Sequence, residues 1–157
     1  KKVLKLRVSL EVSQTEPRLT IAYSVTNAPL DNLAWNFREG EFDNQEDFLN
    51  AVVKYNEEVQ SIDGEKVKEI LGRKIESIGS ETRFVLFDED SEEAERQEIR
   101  EVHLTSDDGI SFSAGEILFK LNRTLYPMLA DSDAIFFEGF SIITEEGSIH
   151  CRLHLGS

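Results

Sequence analysis

In the opening stretch VLKLRVSLEV every second residue is apolar. Leu4, Leu6, Val8, Leu10 and Val12 share one side, and Lys5, Arg7, Ser9 and Glu11 share the other. A period of two fits a strand and excludes a helix, whose faces repeat every 3.6 residues. After the turn signal SQTEP, Leu19, Ile21, Tyr23 and Val25 resume the alternation. The two runs therefore predict an antiparallel hairpin with one covered and one wet face.

The period then changes. NAPLDNLAWNFREGEF reads as a connecting loop with Trp35 and Phe37 turned inward. Asp43 or Asn44 caps a helix, with Glu46 completing a capping-box-like start, and Phe48, Leu49, Val52, Val53 and Val59 fall on helical spacing to about residue 60. A second helix is expected from near Asp63 through Val67, Ile70, Leu71, Ile75 and Ile78 to Gly79. Phe84 to Phe87 and IREVHLTS read as strands, with a tight turn at Asp108-Gly109. Ser113 and Glu116 form a capping box for a helix that buries Ile117, Leu118, Leu121 and Leu125 and ends or kinks at Pro127. The closing FFEGFSIITEEGSIHCRLHLGS adds two strands. The resulting order, ββ-αα-ββ-α-ββ, predicts an α+β fold: a mainly antiparallel sheet of about six strands with about three helices, in a single globular domain over 1–157.

Charge narrows the class of partner. The net charge is −14, unevenly spread. Residues 1–27 hold five basic and two acidic side chains, 28–80 hold six and twelve, and 88–101 hold two and eight. Such a surface repels nucleic acid phosphates and anionic lipid, and attracts a basic protein. No run approaches the ~18 apolar residues of a membrane span. The opening on Lys1, with no Met, is what a trimmed chain or a domain taken from a longer one would show. The one cysteine, Cys151, permits no internal disulfide or multi-cysteine metal site and reads as a buried, inert thiol. Cytoplasmic residence is the expectation that goes with it.

The closing hairpin is the candidate site. A three-residue loop of Glu145, Glu146 and Gly147 would set Ile142 across from His150, Phe140 from Arg152 and Glu138 from His154. Ile135, Phe137, Ile143, Ile149, Cys151, Leu153 and Leu155 would then form the core face. Glu138, His150, Arg152 and His154 would share the other with Phe136, Phe140 and Ile142. Aromatic residues and arginine are the residue types that interface cores favour.

Little points to catalysis. His150 and His154 lie four apart on a strand, roughly 13 Å, too far to share a metal. DEDSEEAERQE spaces Asp88, Asp90 and Glu92 like a calcium loop, but Glu93 stands where glycine is required and Ile99 where a bidentate carboxylate is required. No GxSxG, GxGxxG or phosphate-binding loop occurs. No catalytic residue, metal or cofactor is expected.

In size and acidity the chain resembles barstar-like and colicin-immunity proteins, a likeness of composition that assigns no residue. The leading expectation is a non-enzymatic, acidic interaction domain that binds a basic protein, as an immunity- or antitoxin-type inhibitor of a nuclease-like toxin would. Its binding residues are expected to be Glu138, Phe136, Phe140, His150, Arg152 and His154, with Glu92, Glu93 and Glu95 steering the encounter. A ligand-binding or enzymatic domain using the Glu138, Arg152 and His154 face is the competing class. A homodimer or assembly subunit joined through that face is the third.

Overall fold

The computed structural model describes residues 3–10, 19–27, 30, 32–86 and 100–157, the side chains of 3–10, 19–23 and 27 excepted. Strands β1 (Val3–Leu10) and β2 (Leu19–Asn27) pair antiparallel, with Leu4, Leu6, Val8 and Leu10 in register with Val25, Tyr23, Ile21 and Leu19. This is the ladder the alternation requires. The chain continues through β3 (Trp35–Asn36), α1 (Gln45–Gln60), α2 (Gly64–Leu71), β4 (Lys74–Ile75), a 3-10 turn (Glu76–Ile78), β5 (Glu81–Leu86) and β6 (Arg100–Thr105). It closes with β7 (Phe112–Ser113), α3 (Ala114–Met128), β8 (Phe136–Glu145) and β9 (Ser148–Gly156). The main sheet runs β1-β2-β8-β9-β5-β6, with β3 on the same edge of β8 as β2. All its pairings are antiparallel except β5 with β9. The fold is α+β.

The three helices pack on one another, and their buried side chains join one face of the sheet. Phe84, Leu86, Val102, Leu104, Phe137, Phe140, Ile142, Cys151 and Leu153 supply that face. Val85 and Ile143 are also buried, but their register partners, Arg152 and His150, put them on the other. Val25 stands opposite Ile143 and so belongs to this second side.

The segment 34–40 is held by two buried asparagines. Asn56 of α1 accepts from the Ala34 amide at 2.9 Å and donates to the Ala34 carbonyl at 2.9 Å. Asn122 of α3 accepts from Trp35 Nε1 at 2.9 Å and donates to the Gly40 carbonyl at 3.0 Å. Trp35 and Phe37 are buried, as their inward placement requires. Trp35 then packs edge-on against Phe48 and Tyr55.

One helix start falls within the expected pattern, and the helices depart from it in two other places. Asn44, one of the two expected caps, starts α1; its side chain accepts from the Asp47 amide and donates to the Asp47 carboxylate. Val59, expected to be inward, is 60% exposed in the last turn. The second helix ends at Leu71, before Gly72, because Lys74 and Ile75 leave to pair with Ser113 and Phe112. Glycine is a poor helix former, which makes the break at Gly72 inexpensive. Ile75 and Ile78 still reach the core, from a strand and a 3-10 turn.

Candidate functional site

The hairpin register differs by one residue from the expected one. Glu145 pairs with Ser148 across a two-residue turn in which Glu146 (φ 49°) and Gly147 (φ 80°) are both left-handed. That is the conformation whose twist matches a right-handed strand pair. Ile142 therefore faces Cys151 and Ile143 faces His150, while Ser141, not Phe140, faces Arg152. Phe140 pairs with Leu153 in the core, 1% exposed and edge-on to Phe84. Its expected place on the open face is corrected, and so is that of Ile142, which is buried in the same core.

A bulge reconciles this register with the chemistry of FFEGF. Phe137 pairs with Leu155 and Phe140 with Leu153, so Glu138 and Gly139 together oppose the single residue His154. Gly139, at φ 98°, absorbs the extra residue. Both phenylalanines then turn inward although they are three apart, and Glu138 stays exposed. Its carboxylate lies over Gly156, where a Cβ would collide with it.

The non-helical side of the hairpin carries its polar groups, beside the buried Ile143. Ser141 and His154 share a 2.7 Å hydrogen bond. Arg152 is half-buried between Ser141 and Val85. His150 is half-buried, and its Nδ1 is shut off from solvent with no hydrogen-bond partner. Burial, and then the nearby Arg83, push its pKa below the ordinary histidine value, while Glu145 and Glu101 act the other way. A neutral imidazole follows. Phe136, 38% exposed, sits at the start of β8 opposite Gly156. The structure thus keeps Glu138, His150, Arg152 and His154 on or beside one surface and takes Phe140 away from it. Glu92, Glu93 and Glu95 lie outside the described residues, as does the whole run 87–99.

Nucleophile chemistry finds no support in the described groups. Cys151 is buried against Thr82, and burial pushes its thiol up to about 11. A thiol so protonated is a poor nucleophile. Ser106 donates to Asp108, whose carboxylate also accepts the Ile110 and Ser111 amides and is thereby held below the usual carboxylate range. These bonds close the turn after β6. Among the described residues, no three His, Cys, Asp or Glu side chains are grouped to hold a metal ion.

One ion cluster is half-buried. Lys120 Nζ lies 2.8 Å from both Glu116 and Asp107 and donates to the Thr105 carbonyl. Burial opposes its charge, but the bonds to Asp107 and Glu116 outweigh it and raise the Lys120 pKa. Glu116 also accepts the Asp107 amide at 2.7 Å. Ser113 caps α3 through the Glu116 amide at 3.2 Å, as expected. The carboxylate half of the box is instead used to tie α3 to the β6 turn.

Sequence reasoning did not single out two surface features. Between Arg38 and Lys54 the chain has no cationic residue, and Glu39, Glu41, Asp43, Glu46 and Asp47 are all exposed and in no ion pair among the described residues. Beside them, α1, α2 and the start of α3 enclose a groove of about 480 Å³ lined by Gln45, Glu46, Leu49, Asn50, Val53, Lys68, Leu71, Gly72 and Ser113. The charge excess was visible in the sequence; the groove depends on how the helices pack. A second, smaller hollow of about 370 Å³ lies along β5 and β6 and includes Arg83, His103 and Ile149. Neither contains Glu138, Arg152 or His154.

No protein-family model matches the chain, and no curated protein or solved structure shows significant similarity to it. Among the described residues no helix is long and apolar enough to cross a membrane.

Proposed function

We propose that the chain is an acidic, non-enzymatic interaction domain that binds a basic partner protein, in the manner of an immunity-type inhibitor of a cationic, nuclease-like toxin. The observation that carries it is the stretch Glu39 to Asp47: five exposed carboxylates in no ion pair among the described residues, on a chain of net charge −14. Such a field speeds encounter with a positive surface and weakens as salt screens it. The polar hairpin surface around Glu138, Arg152 and His154, together with Glu92, Glu93 and Glu95, belongs to the same proposal, and so does cytoplasmic residence.

The test is capture from native lysate at low and high salt, followed by association kinetics with the captured protein. Reversing Glu39, Glu41 and Asp43 to lysine should slow association roughly tenfold at low salt and change dissociation less. A partner that is not basic, or an association rate indifferent to both salt and these reversals, overturns the reading. Inhibition of a captured nuclease at one-to-one stoichiometry would support the immunity-type form; capture of a basic protein whose activity is unaffected would refute that form.

A further inference from the structure

The main sheet is joined from two pieces. One holds β1, β2, β8 and β9, with β3 on β8; the other is the β5–β6 hairpin. Among the described strands only β5 and β9 link them, in the sheet's one parallel pairing. Parallel pairing is slightly weaker per residue than antiparallel pairing. β5 pairs with β6 along its whole length, from Glu81 to Leu86. Across the seam to β9, the described pairs are Phe84 with Cys151 and Val85 with Arg152. No register pair joins Glu81–Arg83 to Ser148–His150 at the strand starts. The hollow of about 370 Å³ lies at that end, lined by Thr82 and Arg83 of β5 and by Ile149 of β9.

His150 stands at the last unpaired step of the seam, one residue before Cys151. Its Nδ1 is shut off from solvent and has no hydrogen-bond partner among the described residues. A neutral imidazole can leave Nδ1 there as an unused acceptor, whereas an imidazolium must place an N–H on it. A charged donor with nothing to receive it costs more than an idle neutral acceptor.

The surrounding strands add charges of both signs. Arg83 of β5 shares the His150 face, with Glu101 and His103 of β6 beyond it. Glu145 comes from β8 and Arg152 from β9 itself; the nearest described side chains of β2, Ser24, Val25 and Thr26, carry no charge. Arg83 is paired with Glu101 at 2.9 Å, so its repulsion is partial, and Glu101 and Glu145 favour the imidazolium. Burial, and then Arg83, prevail over them.

We propose that the β5–β9 seam is an acid-sensitive opening: protonation of His150 parts it from the Glu81 and Ser148 end, while the helices and the β8–β9 pairing stay formed. Opening gives the new Nδ1 proton access to water and separates the imidazolium from Arg83. It also uncovers Cys151, which is 0% exposed in the closed sheet and lies 3.6 Å from the Thr82 hydroxyl. The sign follows from linkage: a histidine with the lower pKa in the closed form favours closure at high pH and opening as pH falls. This inference does not rest on the proposed partner.

Cys151 is the chain's one thiol, so its labelling by a dithiodipyridine reagent reports the opening. Rates in the full chain, each divided by that of a cysteine peptide at the same pH, should rise at least about threefold from pH 7.5 to pH 5. The ceiling is about thirtyfold, set by an open-state histidine pKa of about 6.5. Urea should speed labelling with a slope well below that of global unfolding, because less surface is exposed. His150→Gln should flatten the rise and Arg83→Gln should shrink it. His103→Gln, at a side chain 74% exposed, should leave it unchanged.

A labelling rate flat between the two pH values, or an equal rise in His150→Gln, overturns the proposal. So does a urea slope equal to that of global unfolding, which would make the exposure of Cys151 a whole-chain event. Should His150→Gln fail to fold, Arg83→Gln decides: a reduced rise supports the seam, and an undiminished one refutes it.

Discussion

Replacing Asn56 by leucine tests whether a side-chain amide, and not apolar contact, positions the segment that carries Trp35. Asn56 is fully buried. Its oxygen accepts from the Ala34 amide and from Gln60, and its nitrogen serves the carbonyls of Ala34 and Val52. Leucine is similar in length and makes none of these bonds. The Val52 carbonyl keeps its place in the helix ladder, but both backbone groups of Ala34 lose their partner. Each unpaired buried group costs about 1–3 kcal/mol. Ala34 is only half-buried, so water recovers part of this, and the added apolar burial offsets a little more. A net loss of about 2–4 kcal/mol is expected, which lowers the melting temperature by about 5–15 °C in a chain this long. Urea unfolding reads the first quantity and a thermal scan the second. Hydrogen exchange at the Ala34 amide supplies an independent readout, because that amide should become rapidly exchanging while those of α3 do not. A loss under about 1 kcal/mol with the Ala34 amide still protected would show that packing alone holds the segment.

Two other predictions concern the hairpin. Glu146 is left-handed without the freedom of glycine, so Glu146→Asn should stabilise by up to about 1 kcal/mol in urea unfolding, and Gly147→Val should destabilise by more than about 1 kcal/mol; the opposite signs would refute the two-residue turn. His150 has a folded pKa below its unfolded value of about 6.5, so stability linked to its neutral form is complete above that pH and is lost as pH falls through it toward the folded value. Unfolding free energy of the native protein relative to His150→Gln should therefore decline from about pH 7.5 to pH 5, and a difference flat with pH would remove the buried-imidazole argument.

What could be read from the sequence and what could not divide along physical lines. Local signals were legible. Period-two alternation set the β1–β2 ladder, and Ser113 marked the start of α3 through a bond made within four residues. Tertiary choices were not. Phe137 and Phe140 are three apart, which contradicts a regular strand, and only Gly139 inside the run hinted at the bulge that lets both face inward. A shorter turn was equally open to the residues EEG, and choosing three residues where the protein uses two displaced the assignments from Phe140 to Thr144 by one, while the bulge brings Glu138 back opposite His154 as expected. Arg38 shows the limit most clearly. Its guanidinium donates to the carbonyls of Leu129, Ala130 and Ser132, closing the end of α3 from 91 or more residues away. Nothing in the sequence near residue 38 or near residue 130 specifies that pairing.

The register also decides which substitutions can inform on binding. Phe140 is an edge-on partner of Phe84 beneath the helices, so Phe140→Ala should cost about 3–5 kcal/mol through the cavity it leaves. Weakened binding by that variant would say nothing about an interface. Arg152 is half-buried within the sheet and His154 is tied to Ser141, so truncating either perturbs the fold as well as the surface. Glu39, Glu41, Asp43 and Asp47 differ in kind. All four are exposed and in no ion pair among the described residues, and reversal of Glu39, Glu41 or Asp43 should change unfolding free energy by less than about 0.5 kcal/mol each, the ordinary range for surface substitutions. Asp47 is the exception within the set, because its carboxylate accepts from the Asn44 cap of α1. Leaving Asp47 intact and reversing only the other three therefore separates field from fold. If association with a basic partner slows while the urea midpoint stays fixed, the charge acts on the encounter. If the midpoint falls with it, the acidic stretch is supporting α1, and its part in recognition is lost.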